Sequence, residues 1–161
     1  MTVSRIRCED LSMFFFIKGL IGSYVTRIVD GYPYTEIESG TLVVPSASIE
    51  HRQTSEEGGE LGACWYRRSW VVDIFAVNDT QRDELGSLVF NGLNLAVPIK
   101  DFSSGFNKDT GKSILGADLR VIEWVSPEDR VLRPAYGFDL YAKVKYWRVS
   151  VTYSTVSTQA P

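Results

Sequence analysis

The residues of this sequence that are best suited to acid–base or metal chemistry are few and lie far apart. Its single histidine, His51, stands between Glu50 and Arg52 with no nucleophile next to it. A Ser–His–Asp or Cys–His site would have to use this histidine, because the imidazole takes the proton of the nucleophile. We favour an exposed strand position for it. One histidine and two separated cysteines, Cys8 and Cys64, do not make a four-ligand zinc site.

Two glycine-rich stretches invite a ligand-binding interpretation. The stretch 105–113, GFNKDTGKS, has five residues between its glycines, whereas a phosphate-binding loop has four and opens a helix. A strand is expected after it, so nucleotide binding is disfavoured. The carboxylates of Glu56, Glu57 and Glu60 cluster in the second stretch, 56–62, but they lack the ordered ligand spacing of a calcium loop. We interpret this stretch as a solvated, flexible hairpin loop.

Asp73 lies inside the clearest predicted strand, and two roles stay open for it. The favoured role is an ion pair with a cation on a neighbouring strand, from Arg67, Arg68 or Arg148. The alternative is a general acid paired with Glu123. No set of titratable residues converges in the sequence. We therefore predict no catalytic, cofactor-binding or metal-binding residues, and a protein that is not an enzyme.

Length and composition indicate a globular protein. The chain has 161 residues, 44% of them hydrophobic, and a formal net charge of −3. This mildly acidic balance argues against general binding of nucleic acid, which rests on Lys and Arg neutralising phosphates. Two separated cysteines are typical of a reduced, cytoplasmic protein. The apolar run 13–17 is too short to span a bilayer and no signal peptide is evident, so we expect a soluble product of the cytosol without a membrane partner.

Hydrophobic periodicity predicts the elements that position these residues. Helices are expected over roughly 9–29 and 78–95, strands over 41–53, 65–77, 118–125 and 139–153, and long loops over 103–116 and 126–138. A fifth, short strand at 98–102 is left open. The order α–β–β–α–β–β predicts an α+β fold, a mostly antiparallel sheet of four to five strands with two helices packed on one face. We expect one domain over residues 1–153 and a flexible C-terminal tail over 154–161.

The same patterns predict the core and a second buried surface. One face of the strand 65–77 carries Trp70, Val72 and Ile74, and the second helix presents a stripe of Leu85, Leu88, Val89 and Leu93. The opposite strand faces also carry apolar residues, among them Phe75 and Tyr146. A two-layer domain buries one sheet face, so this surplus predicts contact with a partner subunit.

The segment 69–85, SWVVDIFAVNDTQRDEL, resembles the central strand and helix of the tail terminator and tail-completion proteins of tailed bacteriophages. The flanks are similar in order: an N-terminal helix, a Pro-bearing strand at 42–45, a Glu-Leu-Gly turn at 60–62 and a closing strand at 146–153. The motif-like part covers about 71–93, and it is a packing pattern rather than a set of chemical groups.

The resemblance implies a virion structural protein at the phage neck or tail end. Such a protein forms a ring, usually a homohexamer, that caps the tail tube, stops its polymerisation and joins it to the head connector. Its partners are then the tail-tube protein and a head–tail connector or stopper protein, DNA passes through without specific binding, and the protein is located in the virion after assembly in the host cytoplasm. Another neck or minor tail component, or a small ligand- or peptide-binding module, remains the alternative.

Overall fold

The computed structural model describes residues 4–58, 64–93, 97–102, 112–121, 130–135 and 146–157 of the chain. Within these residues the helices are α1 (Arg5–Ile21), α2 (Tyr34–Ser39) and α3 (Asp79–Gly92). The strands are β1 (Arg27–Asp30), β2 (Ser46–Gly58), β3 (Cys64–Ala76), β4 (Val97–Asp101), β5 (Lys112–Val121), β6 (Arg130–Ala135) and β7 (Trp147–Ser157). None of the described helices is long and apolar enough to cross a membrane.

The two long helices begin where a side-chain oxygen satisfies a free amide of the first turn. The hydroxyl of Ser4 accepts a hydrogen bond from the amide of Arg7 at the start of α1. The side chain of Asn78 accepts one from the amide of Gln81 at the start of α3. Both are the cap residues that helix N-termini prefer. The cap at Asn78 sets the short connection by which β3 leads into α3.

The strands form one sheet in the order β1-β2-β3-β7-β5-β4, and β6 pairs with β7 beside β5. The pairing of β1 with β2 is parallel, whereas the pairings of the other described strands are antiparallel. The last of the described strands lies in the middle of the sheet, because β7 pairs with β3 on one side and with β5 and β6 on the other. This central position explains the burial of its polar end.

The main core lies between the sheet and the two long helices. Trp70, Val72 and Ile74 of β3 are at most 1% exposed and share one cluster with buried residues of α1 and α3. The helical contributors include Met13 and Ile17 of α1. The predicted α+β class, with a mostly antiparallel sheet and two helices on one face, is therefore confirmed. The described residues form seven strands rather than four to five, because the short strands β1 and β6 carry little periodic signal.

The opposite face of the sheet is covered by a segment of the same chain. Phe75 and Tyr146 are buried there with Leu42, and the two aromatic rings meet edge to face with centroids 5.2 Å apart. Tyr32 and Ile37 pack against them from the segment that contains α2. The apolar surplus that predicted a partner subunit on this face is, at these residues, satisfied within the chain.

Several predicted boundaries of helices, strands and loops are wrong. The first helix ends at Ile21 rather than near residue 29, and the β-branched residues that follow form β1. Strand β2 continues through residues 56–58, where a flexible loop was expected, because they pair with residues 64–66 of β3. Strand β5 begins inside the first predicted long loop, and β6 falls inside the second. The remainder of the predicted hairpin loop, residues 59–62, lies outside the described residues.

The predicted flexible tail from residue 154 is also wrong over its first part. Strand β7 runs to Ser157, and Ser154 and Thr155 are 8% and 0% exposed. The physical reason is that a polar residue at a strand end can be buried when its hydroxyl forms a hydrogen bond with a neighbouring side chain. Here the indole Nε1 of Trp70 donates a 2.9 Å hydrogen bond to Oγ1 of Thr155. Residues 158–161 lie outside the described part of the chain.

Candidate functional site

The titratable residues singled out by the sequence do not meet at one place. His51 lies on β2, and Asp73 lies on the opposite face of the sheet, on β3. Most of the glycine-rich stretch 105–113 and all of Glu123 lie outside the described residues, and residues 112 and 113 begin strand β5 rather than a helix. Cys8 is a buried free thiol, and the side chain of Cys64 is not among those described. Within the described residues, no three His, Cys, Asp or Glu side chains are grouped as a metal site.

A buried ion pair holds the N-terminal half of α1 on the sheet. The Glu9 carboxylate lies 2.5 Å from Nε of Arg68, and both side chains are 1% exposed. Arg68 lies on the same strand face as Trp70, so its guanidinium enters the core instead of the solvent. Removing a charge pair from water is costly, and only a close partner offsets that cost. The pair therefore fixes where α1 crosses β3.

His51 lies next to this pair, in an arrangement that superficially resembles a catalytic relay. Its Nδ1 is 3.6 Å from Oδ1 of Asp10, and its Nε2 is 2.9 Å from Oγ1 of Thr54. The imidazole also lies over the ring of Trp70, with centroids 5.0 Å apart. Burial raises the pKa of the Asp10 carboxyl, an effect that His51 and Arg68 partly oppose. The side chain of His51 is 19% exposed, less than the sequence suggested.

The protonation that these contacts require is the reverse of what a general base needs. Nε2 of His51 also lies 3.1 Å from the backbone oxygen of Gln53, and a carbonyl oxygen can only accept. The tautomer that donates from Nε2 to Gln53 cannot also take the hydroxyl proton of Thr54 at that nitrogen. Neither the open groove beside Leu20 and Leu88 nor the small cavity beside Phe102 includes any of these side chains. The cluster fits a structural role better than catalysis.

A second cluster attaches the α2 segment to the other face of the sheet. Asp73 is 2% exposed; the Ser150 hydroxyl donates a hydrogen bond to it, and Nε of Arg148 lies 3.2 Å from its carboxylate. Arg148 also donates a 2.9 Å hydrogen bond to the hydroxyl of Tyr32 and stacks on that ring at 5.6 Å. Burial raises the pKa of Asp73, and the bond from Ser150 and the charge of Arg148 oppose it. The predicted ion pair of Asp73 with a cation of a neighbouring strand is confirmed, and of the three candidates the partner is Arg148.

An open, mostly apolar groove, here called the α1/α3 groove, lies between α1 and α3 in the described part of the chain. It has a volume of about 940 Å³, and its walls include Leu20 near the end of α1, Tyr24 just beyond that end, and Leu85 and Leu88 of α3. Tyr24 is 58% and Leu88 is 42% exposed. Leu88 was predicted to lie in the core with its neighbours, and that prediction is wrong.

Helix geometry explains the position of Leu88. With about 100° per residue, Val89 and Leu93 lie on one side of Leu85 and Leu88 lies roughly 60° away on the other. The sheet covers the side of Leu85, Val89 and Leu93, which are at most 2% exposed. Gly92 brings the end of α3 close to α1, because a Cβ there would lie 2.6 Å from Cδ1 of Leu20. The groove is thus an open extension of the core between two helices.

The charged residues that line the groove are acidic. Asp83 and Glu84 stand at its rim. Nε of Arg82 donates a 2.7 Å hydrogen bond to Asp83 and lowers the pKa of that carboxyl. The groove therefore combines an apolar floor with an acidic rim, which suits contact with another macromolecule better than proton transfer.

No protein-family model matches this chain, and no curated protein matches it in sequence.

Sequence reasoning missed some of the residues that organise these clusters. Glu9 and Tyr32 were not predicted to make structural contacts, and Arg68 was a candidate partner of Asp73 rather than of Glu9. A signal for Arg68 existed, since strand alternation places it on the same face as Trp70 and Val72. A charge on the apolar face of a strand indicates a buried partner. No comparable pattern identifies Glu9, because its partner is distant in sequence.

Proposed function

We propose that this protein is a virion structural protein of the phage neck or tail end, a ring-forming tail terminator that caps the tail tube and joins it to the head connector. The proposal rests first on the resemblance of residues 69–85. That stretch corresponds to the unit in which β3 ends at Ala76 and α3 begins at Asp79. The unit lies at the centre of the fold, where a family would keep its packing pattern.

The observation that carries the proposal is the way in which the chain uses its charged and apolar side chains. Two ion pairs with buried carboxylates hold helices and segments to the sheet, Glu9 with Arg68 and Asp73 with Arg148. The large open feature is an apolar groove with an acidic rim. A chain that commits its buried titratable groups to its own packing and leaves an apolar helix face open is suited to assembly.

A ring requires a surface that differs from the surface it contacts. Such a heterologous interface closes when the rotation between neighbours divides a full turn. The α1/α3 groove offers one such surface, and the number six comes only from the family that the sequence resembles. The passage of DNA without binding agrees with the net charge of −3, because a strongly basic lumen would bind phosphate.

A peptide- or ligand-binding module is the second candidate, and the groove itself favours it. A concave, mostly apolar site of about 940 Å³ falls in the size range of small-molecule sites. The two candidates differ in what fills the groove. A binding module remains a monomer with a small ligand in the groove, whereas a terminator fills its surfaces with other virion subunits.

Polymerisation of the tail-tube protein of the same virus tests the proposal. A terminator added to growing tubes caps their ends, so we expect tube elongation to stop at a protein-to-tube-end ratio of a few copies, measured by electron microscopy of tube lengths. Tubes that reach the same length with and without the protein contradict the proposal. Tubes decorated along their sides would contradict it as well.

A further inference from the structure

The residues that line the α1/α3 groove indicate which kind of segment would bind there. Its exposed floor residues, Tyr24 and Leu88, call for apolar contact. The sequence of α3 contains three acidic residues and one arginine, and that arginine, Arg82, is committed to Asp83. Glu84 adds an exposed charge at the rim without a described ion pair. The groove therefore fits a segment with an apolar side chain beside positive charge.

The first turn of α1 has this chemistry. Ile6 is 42% exposed, although it is a large apolar side chain. Arg7 beside it has a side chain that is 45% exposed. The first turn contains no acidic residue, and the unpaired amides of a helix N-terminus add partial positive charge. An exposed isoleucine, an exposed arginine and the positive end of a helix dipole lie together.

These two surfaces lie at opposite ends of one rigid element. Helix α1 has 17 residues, so it is about 25 Å long at 1.5 Å per residue. Its first turn carries Ile6 and Arg7, whereas Leu20 lines the groove at the far end of the helix. The first turn of a chain cannot reach the groove of the same chain, because the length of the helix separates them and the helix packs on the sheet. A second copy has no such restriction.

We propose that the α1/α3 groove is filled by the first turn of α1 from a second copy of this chain, with Ile6 against Leu88 and Arg7 against Glu84. This inference rests on the proposed function, because it names the subunit contact of the ring. Each copy donates a helix N-terminus at one end and receives another at the other end. The contact is heterologous, so repeating it closes a ring when the rotation per subunit divides a full turn.

Arg7 already contacts Asp30 at 2.8 Å within its own chain, and both side chains are exposed. An exposed ion pair of this kind contributes little to stability and is easily exchanged for another partner. Asp30 therefore does not prevent Arg7 from contacting Glu84 of a neighbour. It holds the guanidinium near the first turn in the free subunit.

Charge reversal tests the contact with the full-length chain. In Glu84→Arg the groove repels the first turn of every copy, and in Arg7→Glu the first turn repels every groove. We expect each variant alone to need at least about tenfold more protein to assemble than wild type, because like charges face each other at the contact. Glu38→Arg, the same charge change on the exposed face of α2, serves as the control and assembles like wild type.

An equimolar mixture of the two variants is the decisive experiment. The reversed groove of Glu84→Arg then receives the reversed first turn of Arg7→Glu, and the unchanged groove of Arg7→Glu receives the unchanged first turn of Glu84→Arg. Opposite charges meet at both contacts, so we expect assembly to return to within about threefold of wild type, with alternating subunits. Assembly is followed by light scattering and negative-stain imaging, both in free solution and on tail tubes of the same virus.

The outcomes separate this inference from the proposed function. If both single variants form rings like wild type, the proposed contact between the first turn and the groove is wrong. The same holds if assembly of the mixture does not return towards wild type. In either case the proposed ring-forming function is not affected. If wild type forms no ring in solution or on tubes, both proposals fail.

Discussion

The Glu9 carboxylate contacts Nε of Arg68 at 2.5 Å, and neither side chain is more than 1% exposed. Both terminal nitrogens of Arg68 are buried without a hydrogen-bond partner in the part of the chain that the structure describes. Glu9 is thus the closest described contact that offsets the charge of the guanidinium, and Asp10 is a second carboxyl that interacts with it. The pair joins α1 to β3 and sets the position of the helix whose two ends we propose to meet in the ring.

Removal of the charge of Glu9 alone should be strongly destabilising. We expect Glu9→Gln to lower the free energy of unfolding by roughly 3–5 kcal/mol, because it leaves Arg68 charged and buried without its anion. Urea unfolding measures the loss. The matched control is the adjacent Asp10→Asn, which should cost less than about 1 kcal/mol because Asp10 is more exposed and its ionised form is disfavoured by burial.

The double variant Glu9→Leu with Arg68→Met extends this test. It removes both charges and retains apolar volume, so it should recover most of the stability that Glu9→Gln loses. A double variant that is less stable than Glu9→Gln would show that the pair contributes net stability.

Leu85 and Leu88 should respond very differently to truncation. Leu85 is 2% exposed and Leu88 is 42% exposed on the same helix. We expect Leu85→Ala to cost roughly 2–5 kcal/mol, the range for a buried leucine, and Leu88→Ala to cost less than about 1 kcal/mol. Chemical denaturation of the two variants decides between the observed helix orientation and a core that contains Leu88. Equal losses would contradict the orientation.

The hydrogen bond between Trp70 and Thr155 tests whether the end of β7 belongs to the core. Thr155→Val keeps the shape of the side chain but leaves the indole N–H buried and unpaired, which should cost roughly 1–3 kcal/mol. Thr152→Val, on the same strand at a partly exposed position, is the control and should change stability by less than about 0.5 kcal/mol. Similar values for the two variants would mean that the end of β7 is not held.

The raised pKa of Asp73 predicts a specific pH dependence. Its carboxyl binds a proton more tightly in the folded than in the unfolded chain, where the pKa is near 3.8. The folded state therefore holds more proton between that value and the raised pKa, and the slope of stability against pH is negative in this window. The stability that Asp73 contributes is fully present below 3.8 and declines as pH rises through the raised pKa.

Asp73→Asn isolates this contribution, because asparagine does not titrate and can still accept the hydrogen bond from Ser150. Unfolding free energies of wild type and variant are measured from about pH 3.5 to pH 7. We expect the wild-type advantage to shrink as pH rises. An advantage that grows over this range would mean that Arg148 and Ser150 outweigh burial.

Strand alternation and helix periodicity predicted the fold class, the two long helices on one face and the core side of β3. These features depend on residues close together in sequence. Arg148 was also among the predicted partners of Asp73, because opposite charges on adjacent strands attract each other across the sheet. Neither the covering of Phe75 by Tyr32 nor the position of the groove follows from such local patterns.

The errors share one physical cause, which is that tertiary contacts override local composition. Thr155 looked like part of a solvated tail, yet the hydrogen bond from Trp70 and the central place of β7 bury it. Leu88 looked like core by spacing alone, yet the sheet covers the other side of α3. The apolar face of β3 around Phe75 suggested a partner, yet the chain folds back over it.

We propose that this protein forms a ring at the end of a phage tail tube, and imaging of the intact particle is the decisive test of that proposal. Single-particle cryo-microscopy of the virus, with this fold fitted to the density, should place a closed ring of copies, six by the family resemblance, between the tail tube and the head connector. Density for this fold on the capsid surface, or its absence from the particle altogether, would contradict the account.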